Sequence, residues 1–309
     1  MKRFTNILVG VDLARGSRLV CDELSPPTEE AIERALWLAK LNSARLLFTY
    51  SLDMSAKTQR LIQENPRSES TVVDHAREVL GSIVERAKQE GIAADFHVEF
   101  GKSWVSIIRQ VLQNAHDLVI VGTRHAGPVK SFLVGSTGIK LLRKCPCPVW
   151  VTHPQPDRRI GTILVANDLS PVSDLAMQLG CSMAQLYDAQ LHVLHSAEYP
   201  EFDEMLPGKV TVEEASKYRR QAEEHIAAQL DNFDLVHPAQ VHIATEPPHF
   251  AIMHYLERHR VELLVMGTVA RTGISGMITG NTAERLLPQI PCSVLAVKPT
   301  GFKSPITLE

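Results

Sequence analysis

Val119-Ile120-Val121-Gly122-Thr123 and Leu264-Val265-Met266-Gly267-Thr268 are one pattern written twice. Each is a short apolar run closed by glycine and threonine. Nine residues separate His125 from Gly135-Ser136-Thr137, and nine separate Ala270 from Gly280-Asn281-Thr282. Working outward, Cys145-Pro146-Cys147-Pro148-Val149 returns as Ile290-Pro291-Cys292-Ser293-Val294, and Ser25-Pro26 as Ser170-Pro171. All these landmarks are displaced by 145 residues. Ile7-Leu8-Val9-Gly10-Val11-Asp12 returns as Ile163-Leu164-Val165-Ala166-Asn167-Asp168, displaced by 156. The first half therefore carries 11 extra residues between Asp12 and Ser25, about residues 14–24. A repeat of this length is a duplicated domain, not a solenoid unit.

The apolar runs are rich in Val, Ile and Leu and alternate with helical patterns. That is how parallel strands covered on both faces read. The pattern predicts strands near residues 6–12, 45–51, 94–100, 118–123 and 149–152, with helices near 27–41, 71–89, 104–114 and 136–144. The second half predicts strands near 162–168, 190–196, 240–244, 263–268 and 293–298, with helices near 172–186, 212–230, 250–259 and 282–287. Ser25-Pro26 and Ser170-Pro171 have the look of an N-cap followed by a first-turn proline. Right-handed crossovers then give an α/β fold: two tandem, doubly wound, five-stranded parallel-sheet domains of Rossmann-like type. The expected division is residues 1–153 and 159–299, a linker at 154–158 and a loosely held tail at 300–309. Pro154 and Pro156 stiffen the linker.

The 309 residues suit two domains, and 44% hydrophobic with 22% charged residues are globular values. A net charge of −3 gives no general pull toward nucleic acid. No apolar run reaches the roughly 18 residues that span a bilayer. The opening residues lack a signal-peptide pattern, and five cysteines suit a reducing compartment. A cytoplasmic protein without membrane or nucleic-acid partners is the expectation.

The two loops after the fourth strands are the site-like features. A glycine at a strand end admits close approach, and a glycine with hydroxyl residues at the next helix start offers N–H groups to an anion. The same residues also serve as tight turns and caps. Asp12 and Asp168 have a similar double reading, as ligand contacts or as caps of their own loops. Arg124, Lys130 and Arg271 lie near the loops as phosphate partners.

At these residues the chain resembles the universal stress protein family, and most of all its tandem, E-type members. The family pattern is Gly, two residues, Gly, nine residues, Gly, then Ser or Thr. Gly122, Gly135 and Ser136 match it in the first half, and Gly267 and Gly280 in the second. His125 and Ala270 stand at the second glycine, and Asn281 at the hydroxyl position with Thr282 following. The resemblance covers nearly all of both halves. It implies a stress-response protein that binds adenine nucleotide (ATP or AMP) in at least one domain, with magnesium accompanying it, and acts through protein partners. It places Asp12 and Asp168 on adenine. It places the loops of Gly122, Thr123, His125 and of Met266, Gly267, Thr268, Ala270 around ribose and phosphates. Gly135-Ser136-Thr137 and Gly280-Asn281-Thr282 then meet phosphates. It also implies that the last strands pair, giving an intrachain pseudo-dimer, with a homodimer of whole chains as a further arrangement.

The compact Asp168-Leu169-Ser170 turn and the small Ala270 favour the second half for the nucleotide, whereas Ser136 favours the first. The insertion follows Asp12 directly and so covers or reshapes the first rim. Two alternatives stay open: an interaction scaffold with degenerate sites, and a slow ATPase. Enzyme signatures are thin: no Gly-x-Ser-x-Gly elbow, His-Glu-x-x-His or P-loop lysine occurs. Cys145-Pro-Cys147 has a poor redox or metal spacing and reads as core. The thirteen histidines lack ligand spacing: His192 and His195 fall on opposite faces of a strand, and His254 and His259 are off the helical stripe.

Overall fold

A computed structural model describes residues 3–16, 18–54, 66–125, 132–155, 159–197, 212–268 and 281–308. The chain divides into two units, Met1–Pro156 with Phe302–Glu309, and Asp157–Gly301. Within the first, Arg109 Nε donates to the Thr307 carbonyl at 3.4 Å.

The first unit runs β1 (Asn6–Gly10), α1 (Pro26–Asn42), β2 (Arg45–Leu52), α2 (Pro66–Gln89), β3 (Ala94–Phe100), α3 (Ser103–Asn114) and β4 (Leu118–Gly122). A two-residue antiparallel pair follows, β5 (Arg124–His125) and β6 (Phe132–Leu133), then α4 (Ser136–Lys144) and β7 (Val149–Thr152). Its sheet is parallel, in the order β3-β2-β1-β4-β7. The second unit runs β8 (Thr162–Ala166), α5 (Pro171–Tyr187), β9 (Gln190–Ser196), α6 (Val212–Leu230), β10 (Gln240–Ala244), α7 (Pro248–Arg258), β11 (Leu263–Gly267), α8 (Asn281–Leu286) and β12 (Ser293–Val297). Its parallel sheet has the matching order β10-β9-β8-β11-β12.

Helices cover both faces. In the first unit α3 packs with α4, while Arg86 of α2 reaches Glu33 of α1 at 2.5 Å. In the second, α5 packs with α6 and α7 with α8. The central strands are therefore apolar through their middles: Ile7, Leu8, Val9, Ile163, Leu164 and Val165 are wholly buried.

Local chemistry repeats with the fold. Ser25 Oγ accepts the Thr28 N–H and Ser170 Oγ the Ser173 N–H, each at 3.4 Å, and a proline opens each helix. Both helices end on a left-handed residue, Ser43 and Asp188. Before β4, the Asp117 carboxylate accepts from Thr5 N at 2.7 Å and Asn6 N at 3.0 Å. Glu262 does the same before β11, taking the Thr162 N–H at 2.8 Å.

The first strands stop earlier than their apolar pattern, at Gly10 and Ala166, because Asp12 and Asp168 turn the chain. Cys145 is the C-cap of α4, and its sulfur lies 3.6 Å from that of Cys147, both buried. The hydrogen bond with the Cys145 thiol, and then burial, push the Cys147 thiol up, as suits core cysteines.

Candidate functional site

Each sheet reverses its winding between the first strand and the fourth, so the carboxyl ends of those two strands frame a crevice. In the first unit β1 leads there to Asp12, and β4 to Gly122 and Thr123.

Asp12 Oδ1 accepts the Ala14 N–H at 3.0 Å, and its main-chain carbonyl accepts from Thr28 Oγ1 at 3.3 Å. Its surface is open, but the crowding of the rim raises the carboxyl above the usual carboxylate range; the Ala14 N–H and Arg124 pull it back. Gly122 makes a close approach, but to the protein itself. A Cβ there would lie 2.4 Å from the Pro27 carbonyl oxygen. The missing side chain makes room for the first turn of α1.

Thr123 donates its N–H to the Thr152 carbonyl at 2.9 Å. Its buried hydroxyl has no hydrogen-bond partner among the described residues. Gly135 caps α4 without a side-chain bond, so the first N–H groups of that helix face outward beside Ser136 and Thr137. A Cβ on Gly135 would sit 3.1 Å from Arg124 Cβ. Arg124, Thr123 and the α4 N-terminus thus form the anion-suited half of this rim. His125 is placed by its backbone, opposite Phe132. Lys130 lies outside the described residues.

The insertion occupies the other half. Arg15 and Arg18 exchange backbone hydrogen bonds at 3.0 and 3.1 Å, and Cys21 N donates to Leu13 O at 2.9 Å. The Tyr50 hydroxyl, at the end of β2, donates to the Leu19 carbonyl. Asp22 meets His75 of α2 at 2.7 Å, and Val20 is buried. Burial, then the charges of Asp12 and Cys21, push the Tyr50 hydroxyl up. Leu19 and Cys21 therefore stand beside Tyr50 and Asp12, against the β1–β2 side of the rim.

The second unit has no insertion between its first strand and α5. Asp168, Leu169 and Ser170 form a tight turn straight into α5, with Leu169 left-handed at φ 60°. Asp168 Oδ1 accepts the Ser170 N–H at 3.1 Å and its hydroxyl at 2.5 Å. Asn167 Oδ1 accepts the Leu169 N–H at 2.8 Å, fixing the turn. Gly267 meets a side chain where Gly122 met backbone: a Cβ would lie 2.8 Å from Val172 Cγ1. Val172 is Pro27's counterpart. Met266 and Thr268 are buried, and the buried Lys298 ammonium donates to the Thr268 hydroxyl. The corresponding residue of the first unit is His153, which burial holds below the usual histidine range. The half-buried Thr282 and the backbone of Asn281 open α8. Ala270, Arg271 and Gly280 lie outside the described residues.

The structure thus brings Asp12, Gly122, Thr123, Gly135, Ser136 and Thr137 to one rim, and Asp168, Met266, Gly267 and Thr268 to the other. Both aspartates cap their own turns. Among the described residues no three His, Cys, Asp or Glu side chains converge to hold a metal, so these side chains supply no cage for magnesium. Lys298 was passed over in the sequence as the end of an apolar strand; its register with His153 was the available signal. No helix among the described residues is long and apolar enough to cross a membrane.

A profile of the universal stress protein family matches residues 3–153 and again 159–298. Universal stress protein E of Photorhabdus laumondii is 24% identical over 99% of this chain and 98% of its own length. Universal stress protein E of Escherichia coli K12 is 27% identical over 74% of this chain and 76% of its own. A universal stress protein structure from Archaeoglobus fulgidus DSM 4304 shares 21% identity at a TM-score of 0.67, covering 95% of this chain and 98% of that one. That likeness bears on the fold. The chain belongs to the universal stress protein family and carries its domain twice.

Proposed function

We propose that this tandem universal stress protein binds adenine nucleotide in its second unit and acts through protein partners, with the first rim remodelled by its insertion. The carrying observation is the contrast between the rims. Leu19 and Cys21 stand against Tyr50 and Asp12 in the first unit, where the family resemblance puts the adenine. In the second, the Asp168-Leu169-Ser170 turn runs directly into α5. Lys298 adds a cation at the carboxyl end of β12, on Thr268. In the nucleotide-bound state the Asp168 carboxylate would exchange its bond to the Ser170 hydroxyl for one to the base. Nucleotide binding would thereby change a partner surface.

Thermal unfolding with and without ATP, together with mass spectrometry of small molecules carried through gentle purification, tests this. ATP raises the unfolding temperature of the wild type, and Asp168→Ala removes most of that rise while Asp12→Ala keeps it. No rise and no carried nucleotide would leave the second reading, an interaction scaffold with degenerate sites. One observation favours that reading: Asp168 Oδ1 already accepts two hydrogen bonds from Ser170.

A further inference from the structure

Three histidines that share no sequence motif meet in the second unit, on the face of the sheet that carries α7. His192 comes from β9, His242 from β10 and His259 from the residue that ends α7. Tyr255 stands among them: its hydroxyl bonds His192 Nδ1 and, at 2.9 Å, His242 Nε2. A tyrosine hydroxyl has one proton, so it donates to one neutral ring and accepts from the other. The ring of His259 stacks on Tyr255 with centroids 4.2 Å apart, and the His192 and His242 rings stack at 5.6 Å. The matching positions of the first unit are Leu47, Gln110 and Asn114, with only His97 repeated. This cluster is therefore not a requirement of the shared fold.

Beside the cluster lies a cavity of about 230 Å³ between β10 and α7, the volume of about eight liquid waters. Leu194, Ile243 and Ala251 give it apolar wall, His242, Tyr255 and His259 are its aromatic residues, and Arg258 also lines it. Glu246 and His254 also face it, but they pair with each other at 2.7 Å. Arg258 and His259 are both exposed, so the cavity opens to solvent on their side. It shares no residue with the rim of Asp168 and Gly267.

We propose that this cavity binds a small planar carboxylate, its ring against His242, Tyr255 and His259 and its anion on the Arg258 fork. A guanidinium matches a carboxylate in two parallel hydrogen bonds, and apolar wall with ring faces suits a flat organic body better than a bare inorganic ion. The cluster also makes binding depend on pH. Burial first, then the neighbouring imidazoles, hold His192 and His242 below the usual histidine range. On acidification the imidazoles gain positive charge, and a bound anion favours that gain, so affinity rises as pH falls.

Benzoate is the probe, titrated calorimetrically into the full chain at about pH 7.5 and about pH 5.5, with inorganic phosphate as comparator. Benzoate binds saturably and about tenfold more tightly at the lower pH. Arg258→Gln, an exposed position, weakens it about tenfold at both. His192→Gln, in the cluster but not in the cavity wall, keeps binding but flattens the pH dependence. Failure of benzoate to saturate, equal binding to Arg258→Gln, or displacement by ATP would each overturn the assignment. Phosphate binding as tightly as benzoate would overturn the planar-carboxylate class.

Discussion

Gly122→Ala separates the two meanings a strand-end glycine carries. The added Cβ would lie 2.4 Å from the Pro27 carbonyl oxygen, 2.6 Å from its carbon and 3.0 Å from its Cβ. An ordinary carbon–oxygen approach is about 3.3 Å, so the first turn of α1 must retreat by about 0.9 Å. The obstacle is backbone and cannot rotate away. Overpacking of this kind costs about 1–3 kcal/mol, and here the upper end applies. Loss of glycine's freedom in the unfolded chain returns about 0.4–1 kcal/mol, leaving a net cost of about 2 kcal/mol. The contrast is Gly81→Ala in α2, where nothing lies within 4 Å of the new methyl; helix propensity there favours alanine by about 0.5–1 kcal/mol. Urea unfolding followed by tryptophan fluorescence reads this cleanly, because Trp37, Trp104 and Trp150 all belong to the first unit. The Gly122→Ala midpoint falls and the Gly81→Ala midpoint holds or rises. A Gly122→Ala cost below about 0.5 kcal/mol would refute the packing argument and return Gly122 to the ligand.

Other outcomes follow from the same geometry. Gly267→Ala costs about 1 kcal/mol, less than Gly122→Ala, because the Val172 methyl that it meets can move; tyrosine fluorescence or circular dichroism of the second unit checks the ranking. Tyr50→Phe removes the anchor of the insertion at about 1 kcal/mol and speeds tryptic cleavage at Arg15 and Arg18, read by mass spectrometry; unchanged cleavage would mean the insertion is held elsewhere. His192 and His242 have folded-state pKa values below their unfolded ones, so the unfolded chain binds more protons as pH falls below about 6.5, and the second unit loses stability there. Two imidazoliums 5.6 Å apart repel by about 3 kcal/mol at an effective dielectric of about 20, cut by solvent screening to about 1 kcal/mol at this half-open site. His242→Gln therefore shrinks the loss between about pH 7 and about pH 5, and an unchanged pH profile of unfolding would contradict the coupling.

Much of the fold was legible because doubly covered strands leave no alternation to misread. Ile7–Val9 and Ile163–Val165 are buried on both faces, and their apolar runs say so. The serine caps with a following proline were legible for the same local reason. The insertion showed itself as a break in register, but not its path, since the bond from Tyr50 to Leu19 joins residues 31 apart. Gly122 and Gly267 were visible as special, but the reason for them was not. Only the folded helix shows that Pro27 and Val172 take the space. The histidine cluster was invisible to spacing rules because His192 and His242 lie on neighbouring strands and Tyr255 on a helix. Asp12 and Asp168 were open to two readings, and their bonds to Ala14 and Ser170 fill the capping role.

The division of labour between the rims is tested most directly by counting bound ATP per chain, before and after excision of residues 14–24. The intact chain takes a single ATP, lost on Asp168→Ala and retained on Asp12→Ala, and the excised chain gains a second site. Two equivalent sites in the intact chain, or loss of the single site on Asp12→Ala, would contradict the assignment of nucleotide to the second unit.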